Sequence, residues 1–160
     1  MMDGYWQSQD ERHVLSLAGD AQRPVLVFLH EGLGSVAQWQ RFCEQLCQRT
    51  GCPGLLYDRL GHGLSPALPK PRTLHYLHYH ALDELPRLLA THIAEQPYLL
   101  IGHSDGGSIA LIAGAERPPL LRGIVTVAAH VCVEPCCVEA IAQVKANYRE
   151  GGLRRALQRY

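Results

Sequence analysis

The sequence predicts an α/β fold: a mostly parallel sheet with helices on both faces. Three observations predict it. Short apolar runs alternate with longer helical patterns, the sign of βαβ units. The runs Val25-Leu-Val-Phe-Leu29, Leu55-Leu-Tyr57, Tyr98-Leu-Leu-Ile101 and Gly123-Ile-Val-Thr-Val-Ala128 are almost continuously apolar, as strands covered on both faces are. Finally, 160 residues, of which 47% are hydrophobic and 19% charged, suffice for one domain with a real core and exclude disorder.

Taken in order, the pair Tyr5–Gln7 and His13–Leu17 reads as an antiparallel lead-in to the first run. Ser35 then stands as N-cap to a helix whose stripe is Val36, Trp39, Cys43, Leu46 and Cys47. Cys43 and Cys47 lie on that stripe and are expected in the core. After the second run, Pro69 and Pro71, with Pro66 just before, mark Ala67–Arg72 as a loop. A long helical pattern follows from Thr73 to Glu95, burying Leu82, Leu85, Leu88, Leu89 and Ile93, with a kink or break expected at Pro86. A third helix runs from Ser104 to about Ala115, directly after the third run. Beyond Ala129 the pattern changes, and Val138–Tyr148 and Leu153–Tyr160 are expected to be helical with no further strand.

Lysine plus arginine and aspartate plus glutamate number 15 each, so the net charge is zero. That balance argues against nucleic acid and against an anionic membrane surface, both of which call for a basic excess. The apolar runs are far shorter than the ~18 residues of a membrane span, so no membrane association is expected. The N-terminal residues lack the basic and apolar regions of a secretory signal, and Cys136 and Cys137 are adjacent, which suits a disulfide poorly. A reducing, cytoplasmic setting is the expectation.

The chemistry lies in Gly102-His103-Ser104-Asp105-Gly106, which fits the G-x-S-x-G nucleophile elbow. A serine on a sharp strand-to-helix turn is held in strained backbone geometry with its hydroxyl facing open space. Glycines two residues to either side let strand and helix approach without Cβ clashes. The N–H of Asp105, at a helix N-terminus, would face a developing oxyanion. The bare pattern arises easily in a chain with 15 glycines. Its context, a strand before and a helix after, is what gives it weight.

Together, Leu29-His-Glu-Gly-Leu-Gly-Ser35, Tyr57-Asp-Arg-Leu-Gly-His-Gly-Leu-Ser65 and Gly102-His-Ser-Asp-Gly106, each after a strand, resemble the α/β-hydrolase family in order and spacing. The likeness is to its cap-bearing esterase, peroxidase-like and carbon–carbon hydrolase branches, over about Arg23 to His130. It implies Ser104 as nucleophile, with the backbone N–H groups of Asp105 and of the Gly32-Leu33 turn as oxyanion donors, Gly32 favoured. Glu31 departs from the family's usual His-Gly at that turn. The resemblance implies acyl transfer on an ester, thioester or activated carbon–carbon bond of a small-molecule substrate, with no cofactor. It also implies a core over residues 1–130 and the start of a helical cap over 131–160.

A serine hydroxyl needs a general base, and the family's order is serine, then acid, then histidine. One histidine, His130, follows Ser104. A base there, oriented by Glu134, would reverse that order, so a hydrogen-bonded role beneath a cap is the main expectation for His130. The chain therefore resembles the N-terminal part of a hydrolase with an incomplete triad. The alternative is a non-catalytic fragment or degenerate homologue that acts by association, since an unpaired edge after Ile124–Ala129 favours self-association.

Other groups have simpler readings. His103 is expected to point away from the serine's exposed side, and Asp58 to brace the sheet edge. His75, His78 and His80 lack a completing ligand, and Cys132, Cys136 and Cys137 lack CxxC spacing, so no metal site is expected. Arg154, Arg155 and Arg159 read as a solvated face. Gly61-His62-Gly63 opens no helix, and no G-x-G-x-x-G follows the first strand, although an alanine-ending variant of that fingerprint would accept Ala37.

Overall fold

The computed structural model describes residues 12–158. Five strands, β1 (Val14–Leu17), β2 (Val25–Leu29), β3 (Gly54–Tyr57), β4 (Tyr98–His103) and β5 (Leu121–Val127), form one sheet in the order β1-β3-β2-β4-β5. β1 is antiparallel to β3, and every other pair is parallel. The expected sheet is present, and the lead-in at His13–Leu17 is antiparallel; Tyr5–Gln7 lies outside the described residues.

Alternation along the strands divides the core in two. Val25, Val27, Leu29, Leu55 and Leu100 face one side. They are covered there by α3 (Leu85–His92) and α4 (Asp105–Ala115), through Leu85, Leu88, Leu89, Ile109 and Ala110. Leu26, Phe28, Leu56 and Ile101 face the other, beneath Cys43 and Cys47 of α1 (Phe42–Thr50). Helices thus cover both faces. The chain winds from β3 on one side of β2 to β4 on the other, and its helices leave β2 and β4 toward opposite faces. The carboxyl ends of β2 and β4 therefore flank a crevice of the kind where α/β sites form.

Several elements differ from expectation. Ser35 does not cap a helix with its side chain; a 3₁₀ turn, Val36–Trp39, precedes α1. The first N–H of that turn, Val36's, donates instead to Asp58 Oδ1 at 2.6 Å. The predicted Thr73–Glu95 helix is three pieces: α2 (Tyr76–Tyr79), a π-helical segment over His80–Glu84, and α3. Pro86, with no N–H to donate, falls in the first turn of α3, where none is needed. The wider π turn shifts the phase of the helix face. Ala81 and Glu84 consequently point inward, and Leu82, expected in the core, is 42% exposed.

Burying Glu84 requires partners, and it has them: Arg12 Nε donates to Oε1 at 2.6 Å, and His80 Nδ1 to Oε2. Burial alone would push the Glu84 carboxyl up, but His80 and Arg12 hold it below its ordinary value. β5 departs from the two-sided burial expected of it, because α1 covers only the middle of the sheet; Val125 and Val127 remain 49% and 55% exposed. Past β5, α5 (Pro135–Glu150) and α6 (Leu153–Leu157) contribute no buried residue. No helix among the described residues is long and apolar enough to cross a membrane.

Leu100, fully buried in the central strand β4, is expected to dominate stability. Leu100→Ala should cost about 2–5 kcal/mol by urea denaturation. Leu74→Ala, at a residue 97% exposed, should stay within about 0.5 kcal/mol.

Candidate active site

Ser104 occupies the turn between β4 and α4 with φ 51° and ψ −116°, a backbone conformation that L-residues rarely adopt. Its N–H donates to Val127 O at 2.8 Å, and its carbonyl accepts the N–H of Ser108 at 3.0 Å, the first bond of α4. The two flanking glycines are needed here for lack of space. A Cβ on Gly102 would stand 2.2 Å from Gly106 O, and one on Gly106 would stand 1.9 Å from Leu29 O. Ser104 is partly exposed, and its hydroxyl has no hydrogen-bond partner among the described residues. The N–H groups of the first turn of α4, Asp105 included, have no intrahelical acceptor.

Across the crevice lies the turn Glu31-Gly32-Leu33-Gly34, closed by Gly34 N–H to Glu31 O at 3.1 Å. The side chain of Arg59, 1% exposed, clamps it from behind, donating to His30 O at 2.6 Å and to Glu31 O at 2.7 Å. His30 Nδ1 also donates to Glu31 O, while His30 Nε2 accepts the N–H of Arg59 at 3.1 Å. In a trans peptide the N–H opposes the C=O. With Glu31 O held toward Arg59, the N–H of Gly32 points the other way. Neither Gly32 nor Leu33 N–H has an acceptor among the described residues.

The structure brings Gly32 to Asp105: a Cβ on Gly32 would stand 2.8 Å from Asp105 Oδ2. That same oxygen accepts the hydroxyl of Tyr76 at 2.7 Å. Burial, then the bond to Asp105, pushes the Tyr76 phenol up to about 12, so it stays protonated and donates. The Asp105 carboxylate thus tethers α2 to the elbow, a role that spacing did not show. Arg72 lies over the Tyr76 ring and bonds to Nε2 of His62, whose Nδ1 donates to Gly34 O at 3.0 Å. Asp58, 1% exposed, accepts from Val36 N–H, from Leu64 N–H at 3.0 Å and from His13 Nδ1 at 2.8 Å, bracing both loops as expected.

His130 does not join Ser104. Its backbone N–H and carbonyl both bond to Ser108 Oγ, at 3.1 and 2.8 Å, and its ring faces Cys137 Sγ, 3.8 Å away. Glu134 also turns to Cys137, accepting its thiol at 3.5 Å. His103 lines a small cavity with His30 and Trp39, and His75 and His78 are exposed. Cys43 and Cys47 are in the core. A cavity of about 590 Å³ lies between the Gly32 and Gly61–Gly63 turns and the faces of α5 and α6. Gly32 lines it and Ser104 does not, so it abuts the elbow rather than containing it. Arg154 and Arg155 are exposed as expected, Arg154 also lining this cavity; Arg159 lies outside the described residues.

A family model described as alpha/beta hydrolase fold matches residues 24–150. The chain is 33% identical over 111 residues to the sn-1-specific diacylglycerol lipase ABHD11 of Mus musculus, covering 69% of this chain and 34% of that protein. It is 34% identical over 120 residues to a 2-succinyl-6-hydroxy-2,4-cyclohexadiene-1-carboxylate synthase of Salmonella paratyphi C, covering 74% and 43%. It therefore spans between a third and a half of the length of these relatives. Among solved structures, VinJ is 28% identical with a TM-score of 0.68 over 95% of this chain and 53% of that one. A carboxylesterase structure from Nitrososphaera gargenis has a TM-score of 0.73 at 23% identity, covering 93% and 54%, a likeness of fold.

Two measurements check this geometry. Gly106→Ala should cost about 3 kcal/mol or more, because the methyl group meets backbone, whereas Gly152→Ala, with open space around it, should be near neutral. Burial and then Arg59 push His30 from 6.5 down to about 2, and burial, Arg59 and Arg72 push His62 down to about 3. Between those values and 6.5 the unfolded chain binds more protons, so stability is full above about pH 6.5 and falls with decreasing pH. The urea midpoint should decline from pH 7 to pH 5, and less steeply in His62→Gln; a flat profile would show these rings to be solvated.

Proposed function

Because the chain belongs to the α/β-hydrolase fold family, we propose that Ser104 is the nucleophile of a serine hydrolase acting by acyl-enzyme chemistry on an ester-like or activated carbon–carbon bond. One observation carries the reading: a serine held at φ 51° between two glycines that have no room for a Cβ. Gln40 shares that backbone conformation, so the weight falls on its combination with the two crowded glycines at a strand-to-helix turn, which a nucleophile that must stand clear of the sheet requires. The free N–H groups of Asp105 and Gly32 supply the oxyanion hole, since both lie at the mouth of one crevice and neither is engaged by the fold. The substrate is a small molecule, lodged partly in the cavity against Leu33, Ile141 and Tyr148.

The chemistry is incomplete within this chain. His130 is committed to Ser108 through its backbone and faces Cys137 through its ring, so Ser104 has no base among the described residues. Removing the histidine from a serine triad costs on the order of 10⁶ in turnover. What persists is attack assisted by the oxyanion donors alone. The free state of all six cysteines suits a reducing, cytoplasmic setting.

The open flank of β5 favours a second reading, in which the chain works by association. Val125 and Val127 sit exposed on an edge strand, a template for pairing with a second copy.

Intact-mass analysis after long exposure to a fluorophosphonate decides the first reading. Slow, single-site labelling is expected, absent in Ser104→Ala, with ester turnover near background. Equal labelling of both proteins would remove Ser104 as nucleophile. Sedimentation of the unlabelled chain reads the association separately: a concentration-dependent dimer that Val125→Lys abolishes supports the second reading, and a monomer at every concentration removes it.

A further inference from the structure

The end of β5 gathers side chains of metal-ligating type that the hydrolase chemistry does not use. His130 Nδ1 lies 3.8 Å from Cys137 Sγ, and Cys137 Sγ lies 3.5 Å from a carboxylate oxygen of Glu134. One ligating atom from each of the three falls within 4.8 Å of the other two. Around tetrahedral zinc, with Zn–S of ~2.3 Å and Zn–N or Zn–O of ~2.1 Å, neighbouring ligand atoms stand about 3.5 Å apart. Two edges of that tetrahedron are thus already near their length, and the third needs a contraction of at most about 1.3 Å.

We propose that His130, Glu134 and Cys137 form a zinc-binding site that clips the end of β5 to the first turn of α5. Spacing alone argued against a metal here, because no CxxC occurs; the site is assembled from three residue types across a strand end and a helix start.

The backbone holds the ligands in place before any ion arrives. Both the N–H and the carbonyl of His130 are bonded to Ser108, a buried residue of α4. Glu134 is the N-cap of α5, and its carbonyl accepts the N–H of Cys137 at 3.0 Å. Two ligands on one helical turn and a third a few residues upstream leave little chain entropy to lose on binding.

Imidazole, carboxylate and thiolate together suit a borderline-soft dication, and the thiolate disfavours magnesium or calcium. Glu134 has no Lys or Arg partner among the described residues, and neither residue type occurs between Gly123 and Val144. His130 and Glu134 are exposed, so an ion can enter. The fourth position takes water. On binding, Cys137 releases its thiol proton to solvent as the Zn–S bond forms. The clip would fix α5 to the sheet and keep His130 Nδ1 engaged away from Ser104.

The full 160-residue chain, freed of any metal-binding tag and kept reduced, is titrated with zinc against a chromogenic chelator and, separately, with cobalt. One zinc per chain is expected, with micromolar or tighter affinity, and cobalt should show a thiolate-to-metal charge-transfer band. Cys137→Ser and His130→Ala should each weaken zinc by more than about tenfold, given that even outer-shell changes cost that much. His92→Ala, at an exposed histidine elsewhere, should leave it unchanged. All three variants alter surface side chains and should keep the circular dichroism of the parent. No stoichiometric binding, no charge-transfer band, or undiminished binding in the Cys137→Ser, His130→Ala double variant would overturn the site.

Discussion

Seating a non-glycine residue at φ 51° and ψ −116° costs on the order of 1–3 kcal/mol, and the surrounding chain has to hold Ser104 there. The bonds from Val127 and Ser108 grip it on both sides. They exist only because β5 lies beside β4 and because α4 starts at once. Gly106 then lets α4 approach to within contact of the Leu29 carbonyl, which joins the elbow to the end of β2. Sheet order, helix start and the crevice are thus consequences of one another, meeting at that serine.

The second half of the crevice rests on buried polar groups. Arg59 and Asp58 are each 1% exposed, and His30 is 2% exposed. Leaving such groups without partners would be costly, so each is engaged with backbone of a loop. Arg59 turns two carbonyls of the first loop inward, which exposes the opposite N–H groups. Asp58 gathers N–H groups from the 3₁₀ turn and from Leu64. These side chains take no part in the proposed chemistry. They set the shape of the turn that faces Ser104, and burial keeps His30 and His62 neutral, as acceptor and donor at once.

Beyond β5 the balance changes. α5 and α6 bury nothing, and their apolar residues Ile141, Val144 and Leu157 look into the large cavity. Both helices face the turns that follow β2 and β3 instead of packing on the sheet. Zinc at His130, Glu134 and Cys137 would give this region a fixed joint that packing does not supply.

Four strands, the parallel sheet and the elbow were legible in the sequence because each is a local pattern. Alternation shows which face of a strand is apolar, and the Gly-x-Ser-x-Gly spacing states the steric need within five residues. What the sequence left undetermined depends on partners far along the chain. The bond from Asp58 to Val36 spans 22 residues, the clamp of Arg59 on Glu31 spans 28, and the pairing of Arg12 with Glu84 spans 72. That last pairing helps explain why Glu84 turns inward and Leu82 outward, reversing what helical periodicity gives. A period records only how a side chain points relative to its own element. Which polar group satisfies it, and whether a histidine meets a serine or a cysteine, is decided when the strands are stacked side by side.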